Sequence, residues 1–146
     1  MRSHSESHWL AYTPEQMFDL VADVPRYPEF LPWCISTRIL DRPTETEMVA
    51  EMEIGFKMIR ERYTSRITLN RPTELVVESL DGLFKELHTS WRFIAAPQGG
   101  TNVEFEIRFA FRSFLLQTMI GAVFNEAARM MVRSFEKRAK FLYGSP

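Results

Sequence analysis

The chain has 146 residues, 45% of them hydrophobic and 13% aromatic, a composition that builds one domain with a sizeable core and excludes a disordered chain. Its formal net charge of -1 gives no general electrostatic reason to bind DNA or an anionic membrane, and leaves only a local basic patch to consider. Cys34 is the one cysteine, which excludes an intrachain disulfide and fits a reducing compartment, and no stretch approaches the roughly 20 apolar residues of a membrane span.

The opening Met1 to His8 carries one Arg, one Glu and no apolar run, unlike a signal or Arg-rich transit peptide, so a cytoplasmic location is expected. His8-Trp9-Leu10 and the residues before it give a weak pattern for a first strand. Next, Thr13 stands as an N-cap, Pro14 at the first helical position and Gln16 three residues on, a capping box with Tyr12 and Met17 placed for a hydrophobic staple. This helix should end near Asp23, because Pro25 disfavours helix in the residue before it. Tyr27-Pro-Glu-Phe-Leu-Pro-Trp-Cys34 combines two prolines with three aromatics, which predicts a stiff apolar turn or loop.

From Ile35 to about Ala96 the signals are those of strands and hairpins. Met48, Ala50, Met52 and Ile54 alternate with Glu47, Val49, Glu51 and Glu53; Tyr63, Ser65, Ile67 and Leu69 alternate with Arg62, Thr64, Arg66 and Thr68. Leu75 to Leu80 meets Leu83 onward across Asp81-Gly82, a two-residue hairpin signal. Leu87, Thr89, Trp91 and Phe93 share a face of the next strand, and Pro97-Gln-Gly-Gly100 turns into Val103 to Phe111, where every odd residue is large and apolar. After Ser113, a preferred N-cap, apolar residues at helical spacing predict one long helix to Tyr143, roughly 45 Å at 1.5 Å per residue. Gly121 in its middle costs about 1 kcal/mol against Ala and implies close packing or a bend.

The order is α+β: a strand, a helix, a short helical segment, about six hairpin-connected strands, then a long helix, all within a single domain spanning 1–146. A meander of this length must curl, and an amphipathic helix after it lies across the concave face. The inward side chains then surround a space suited to a large apolar ligand, although a filled core produces the same pattern.

Little points to catalysis. The glycines form no phosphate loop, and His4 and His8 have no third ligand, so neither metal nor cofactor is expected. Cys34 reads as a buried small hydrophobe and His88 as a surface histidine. Glu61 and Arg62 read as a surface ion pair, with a polar anchor inside a cavity as the alternative, and the pairs Glu51/Glu53 and Glu104/Glu106 read as a solvated sheet face. Arg129, Arg133, Lys137, Arg138 and Lys140 read as a solvated helix face that Glu126 and Glu136 can pair with.

Tyr27 to Cys34, together with Gly82-Leu-Phe-Lys-Glu-Leu87, Trp91-Arg-Phe93 and Val103 to Phe111, resembles the coenzyme Q-binding protein family of the START-like polyketide cyclase superfamily. The resemblance runs from about Ser7 to Leu142, with Leu83 a departure where the family more often has Pro. It implies a helix-grip fold, a curved antiparallel sheet wrapped around the C-terminal helix with a hydrophobic cavity. It also implies binding of a polyprenyl quinone such as ubiquinone without turnover, in support of respiration or quinone synthesis. The missing transit peptide makes the chain resemble a bacterial member, cytoplasmic or peripheral to the inner membrane. On this reading the ligand lies between the sheet face of Met52, Tyr63, Leu87, Trp91, Phe93 and Phe109 and the helix face of Met119, Val123 and Ala127. Phe30, Leu31, Trp33, Phe56 and Phe84 line the mouth or touch a membrane during transfer. Bacterial relatives also associate with the large ribosomal subunit and block subunit joining; here the expected contact is Arg129, Arg133, Lys137 and Lys140. A third class, polyketide cyclase or dehydratase, meets no evident acid-base pair in this sequence.

Overall fold

The computed structural model describes residues 2–56, 58–121 and 124–144. Its strands are β1 (Arg2–Leu10), β2 (Cys34–Thr44), β3 (Glu47–Phe56), β4 (Ile59–Asn70), β5 (Glu74–Gly82), β6 (Phe84–Ala95) and β7 (Thr101–Phe111), and its α-helices are α1 (Pro14–Ala22), α2 (Phe114–Gly121) and α3 (Phe124–Tyr143). The strands form one antiparallel, curved open sheet in the order β1-β7-β6-β5-β4-β3-β2, an α+β architecture. Helix α1 packs on β5 and β6, α2 on β7, and α3 against α1 and β1.

Local chemistry accounts for most boundaries. At the start of α1, Gln16 N–H donates to Thr13 Oγ1 (3.1 Å) and Thr13 N–H donates to Gln16 Oε1 (2.9 Å), the reciprocal pair that the sequence predicts. Helix α1 gives way at Asp23 to a 3-10 turn, Val24–Glu29. That turn is pinned to α1 by Tyr27, whose hydroxyl donates to the Val21 carbonyl at 2.5 Å. Between β6 and β7, Gly100 has φ +74 and a side-chain Cβ there would sit 2.4 Å from the Leu10 carbonyl oxygen, so only glycine lets the end of β1 pass this close.

Two predicted features take a different form. The Asp81-Gly82 signal does not close a tight hairpin: β5 and β6 pair only from Glu74↔Arg92 to Glu78↔His88. Beyond that point β5 stays with β4 through Gly82↔Tyr63, while β6 stays with β7 through Phe84↔Phe111. The two strands part because Leu83 and Phe84 turn inward, where they are 9% and 8% exposed. The long C-terminal run, expected as one helix, is described as two, α2 and α3. The Ser113 cap holds, its Oγ accepting from Leu116 N–H at 3.2 Å. The glycine ending α2 has close packing as its reason: the Arg2 guanidinium occupies the space, 2.5 Å from where a Cβ would be.

The outward face of β2 to β4 carries the expected carboxylates, but Glu53 is 8% exposed, covered by its ion pairs rather than solvated. Glu53 meets Arg60 (2.5 Å) and Arg62 (3.5 Å), and Glu51 meets Arg38 (3.6 Å). The inward residues form two hydrophobic clusters. One joins α1 to the sheet and α3, with Met17, Phe18, Val21, Leu75, Trp91, Phe93, Phe105 and Phe135. The second comprises Leu83, Phe84, Leu87, Phe109 and Ala128.

Candidate functional site

A cavity of about 470 Å³ lies between the sheet and the C-terminal helices and is walled by members of both clusters. That volume falls within the roughly 300–1,000 Å³ of small-molecule sites. The sheet contributes Met52, Ile54, Tyr63, Val77, Leu87, Thr89, Trp91, Ile107, Phe109 and Phe111. These residues keep the period-two alternation that turns one face of each strand inward. Leu31, Pro32 and Trp33 close one side, and Leu83 and Phe84 another. The helices add Leu116 and Ile120 from α2, and Ala127, Ala128, Met130, Met131 and Phe135 from α3. Ala127 and Ala128 are the small residues on this wall, so α3 passes the cavity without filling it.

Aromatic contacts stiffen both ends. Tyr63 meets Phe84 edge-to-face at 4.9 Å, and Phe84 stacks on Phe111 at 5.0 Å. At the other end Trp91 meets Phe105 at 4.6 Å and Phe135 at 4.9 Å. No Asp, Glu, His, Lys or Arg side chain lines the cavity among the described residues. Its titratable groups are the phenols of Tyr27 and Tyr63, and burial pushes both above the usual tyrosine value. Tyr63 Oη donates to Met52 Sδ at 3.2 Å. Cys34 is buried nearby, and burial pushes its thiol up to about 11, in keeping with a small hydrophobe rather than a nucleophile.

Of the residues expected to face a ligand, Trp33, Met52, Tyr63, Leu87, Trp91, Phe109 and Ala127 come together around the cavity. Three others do not. Phe93 is 2% exposed but lies beneath α1, edge-to-face with Phe18 at 6.0 Å. Phe30 sits behind the cavity wall, 5.1 Å from the Phe135 ring and with the Arg138 guanidinium 5.2 Å over its own ring. Met119 is 45% exposed, because α2 turns Leu116 and Ile120 inward instead. Val123 and the side chain of Phe56 lie outside the described residues. Val77, Thr89 and Ile107, which strand parity also marks as inward, line the cavity as well.

Arg129, Arg133, Lys137 and Lys140 are all exposed on α3. None of the four makes an ion pair among the described residues. The expected partner Glu136 reaches His8 Nδ1 instead, at 3.5 Å, and that histidine also contacts Glu6 at 2.9 Å. Arg138, one step round the helix, pairs with Glu29 at 2.9 Å.

A curved antiparallel sheet closed by a C-terminal helix over an apolar cavity defines a helix-grip, START-like domain. Residues 10–136 match the family described as polyketide cyclase/dehydrase and lipid transport, and the chain belongs to that family. It is 35% identical over 144 residues to the ribosome association toxin RatA of Vibrio cholerae, covering 99% of both chains. It is 37% identical over 145 residues to the mitochondrial coenzyme Q-binding protein COQ10 homolog B of Xenopus laevis, covering 97% of this chain and 59% of that one. Among solved structures, the 18 kDa protein CC1736 of Caulobacter crescentus superposes with a TM-score of 0.80 at 38% identity, over 99% of this chain and 100% of that one. The Zhui aromatase/cyclase of Streptomyces sp. R1128 superposes with a TM-score of 0.82 at 16% identity, over 95% and 93%, a likeness of fold alone.

Proposed function

We propose that the protein binds a hydrophobic, lipid-like molecule, a polyprenyl quinone in particular, in the cavity between the sheet and α3, and carries it without converting it. The observation that carries this reading is the cavity itself: about 470 Å³, apolar, and walled by aromatic and aliphatic side chains where a packed core would be expected. A cavity of this size suits a ring and a short length of tail, so the rest of a long prenyl chain would extend beyond it. The family's description includes lipid transport, and the Xenopus relative is named for coenzyme Q binding. The described lining holds no carboxylate, histidine or lysine, and its titratable side chains are the phenols of Tyr27 and Tyr63, kept protonated by burial. The test is extraction of the purified protein, made in a quinone-producing host, with organic solvent. Near-stoichiometric quinone by mass spectrometry is expected; repeated extraction yielding no lipid overturns the reading.

A second reading has its own observation. The stripe Arg129, Arg133, Lys137 and Lys140 is exposed and without internal partners among the described residues, the arrangement a polyanionic surface requires. With the Vibrio relative named a ribosome association toxin, the corresponding proposal is contact with the large ribosomal subunit through α3. Co-sedimentation with that subunit should weaken as salt rises and be lost in Arg129→Glu/Arg133→Glu; its absence at low salt removes this reading.

A further inference from the structure

We infer that Tyr63 is the headgroup anchor of the cavity, its phenolic hydroxyl donating to an oxygen of the ligand with the Thr89 hydroxyl beside the same space as a second donor. The cavity then selects ring molecules that carry carbonyl oxygens over hydrocarbons of the same shape. This rests on the lipid-binding reading and adds which chemistry is held and where.

Among the described residues the hydroxyl-bearing side chains lining the cavity are those of Tyr27, Tyr63 and Thr89. Tyr27 is committed to the fold through its bond to the Val21 carbonyl. Tyr63 is not: its acceptor is the Met52 thioether at 3.2 Å, directly across the β3–β4 pair. A thioether is a weak acceptor, and a buried hydroxyl left with only a weak partner gains when a carbonyl oxygen replaces it. Met52 is also easily displaced, an unbranched side chain with soft torsions at the cavity wall. Thr89 lines the same space and is 8% exposed. Phe84 meets the Tyr63 ring edge-to-face at 89°, which holds the ring that carries the hydroxyl. Burial keeps the phenol protonated, so it remains a donor throughout the physiological range.

The experiment compares a ubiquinone with a one- or two-unit prenyl tail against a prenylated benzene of equal tail length. Quinone binding is read by quenching of Trp33 and Trp91, and the hydrocarbon by displacement of the quinone. Wild type should favour the quinone, and Tyr63→Phe should weaken the quinone about 3- to 10-fold, the worth of one hydrogen bond, while leaving the hydrocarbon unchanged. Met52→Leu, which removes the competing acceptor at nearly constant volume, should hold or tighten quinone binding. Equal loss for both ligands in Tyr63→Phe, or loss for neither, overturns the anchor while leaving the cavity reading intact. A quinone loss in Met52→Leu matching that of Tyr63→Phe makes the pair structural and also overturns it. Failure of wild type to bind either ligand overturns the cavity reading and the anchor with it.

Discussion

Ala127→Leu distinguishes a real cavity from a core that closes in solution, because the two predict opposite signs. Ala127 lies on the cavity wall contributed by α3, and leucine there adds three carbons. At about 0.8 kcal/mol per buried methylene the gain is roughly 2.4 kcal/mol, reduced by about 0.5–1 kcal/mol of lost rotamer freedom; Leu and Ala differ little in helix propensity. The net is about 1.5 kcal/mol of stabilisation, which for a chain of this size raises the melting temperature by roughly 3–6 °C. The assay is calorimetric unfolding of protein stripped of lipid by solvent extraction, since a bound ligand would stabilise wild type by mass action and mask the gain. Quinone recovered from the variant should fall in parallel, because the leucine takes volume from the site. In a well-packed core the same substitution would force rotamers and cost about 1–3 kcal/mol. A lower melting temperature in Ala127→Leu therefore refutes the cavity.

Phe93→Leu, which removes ring volume from a buried position, should cost about 1–2 kcal/mol by thermal unfolding and leave quinone occupancy at the wild-type level, because Phe93 packs against Phe18 of α1 and not on the cavity; a fall in occupancy would return it to the site. Gly100→Ala should cost more than Gly99→Ala. Both residues have positive φ, a strain of order 1–3 kcal/mol for a side chain, but only at Gly100 would the new Cβ strike the Leu10 carbonyl oxygen. Equal melting temperatures for the two variants would contradict the close passage of β1. The Arg60 guanidinium hydrogen-bonded to Glu53, with Arg62 beside it, holds the Glu53 carboxyl below the usual carboxylate value of 4.5. A group whose folded pKa is depressed stabilises the protein above its unfolded pKa, and that contribution is lost as pH falls through the folded one. The melting-temperature gap between wild type and Glu53→Gln should thus be largest near neutrality and close below about pH 4; a gap independent of pH would refute the linkage.

The strands of the sheet were legible wherever one face is buried, because an alternation such as Val103 to Phe111 has no other use. Strand β1 was faint for a reason its pairing shows: the residues it turns inward beside β7 are Arg2, His4, Glu6 and His8, opposite Phe109, Ile107, Phe105 and Val103. Its place is held by backbone pairing and by Glu6, which accepts from His4 at 2.8 Å and from His8 at 2.9 Å. The phase of α2 was illegible for the opposite reason. Phe114, Leu115, Leu116, Met119 and Ile120 are apolar on every side of the helix, so the pattern carries no direction and Met119 was as good a choice as Leu116.

The cavity marks where sequence reasoning stops. Trp91 and Phe93 are two apart on one strand face and look alike in the pattern, yet α1 covers one and the other borders empty space. Periodicity reports which face is inward; whether an inward side chain meets another depends on what the opposite wall carries. Here that wall carries Ala127 and Ala128 where α3 passes the sheet, and the sheet has parted so that Leu83 and Phe84 close the side rather than the middle. Two small residues on a helix otherwise rich in large ones are the sequence counterpart of the space. The hydroxyls of Tyr63 and Thr89, on strand positions that would otherwise be filled by Leu or Val, are the counterpart of its chemistry. A core selected only for stability would have enlarged the first pair and replaced the second, so their joint presence on facing walls argues for an occupant that needs both room and a donor.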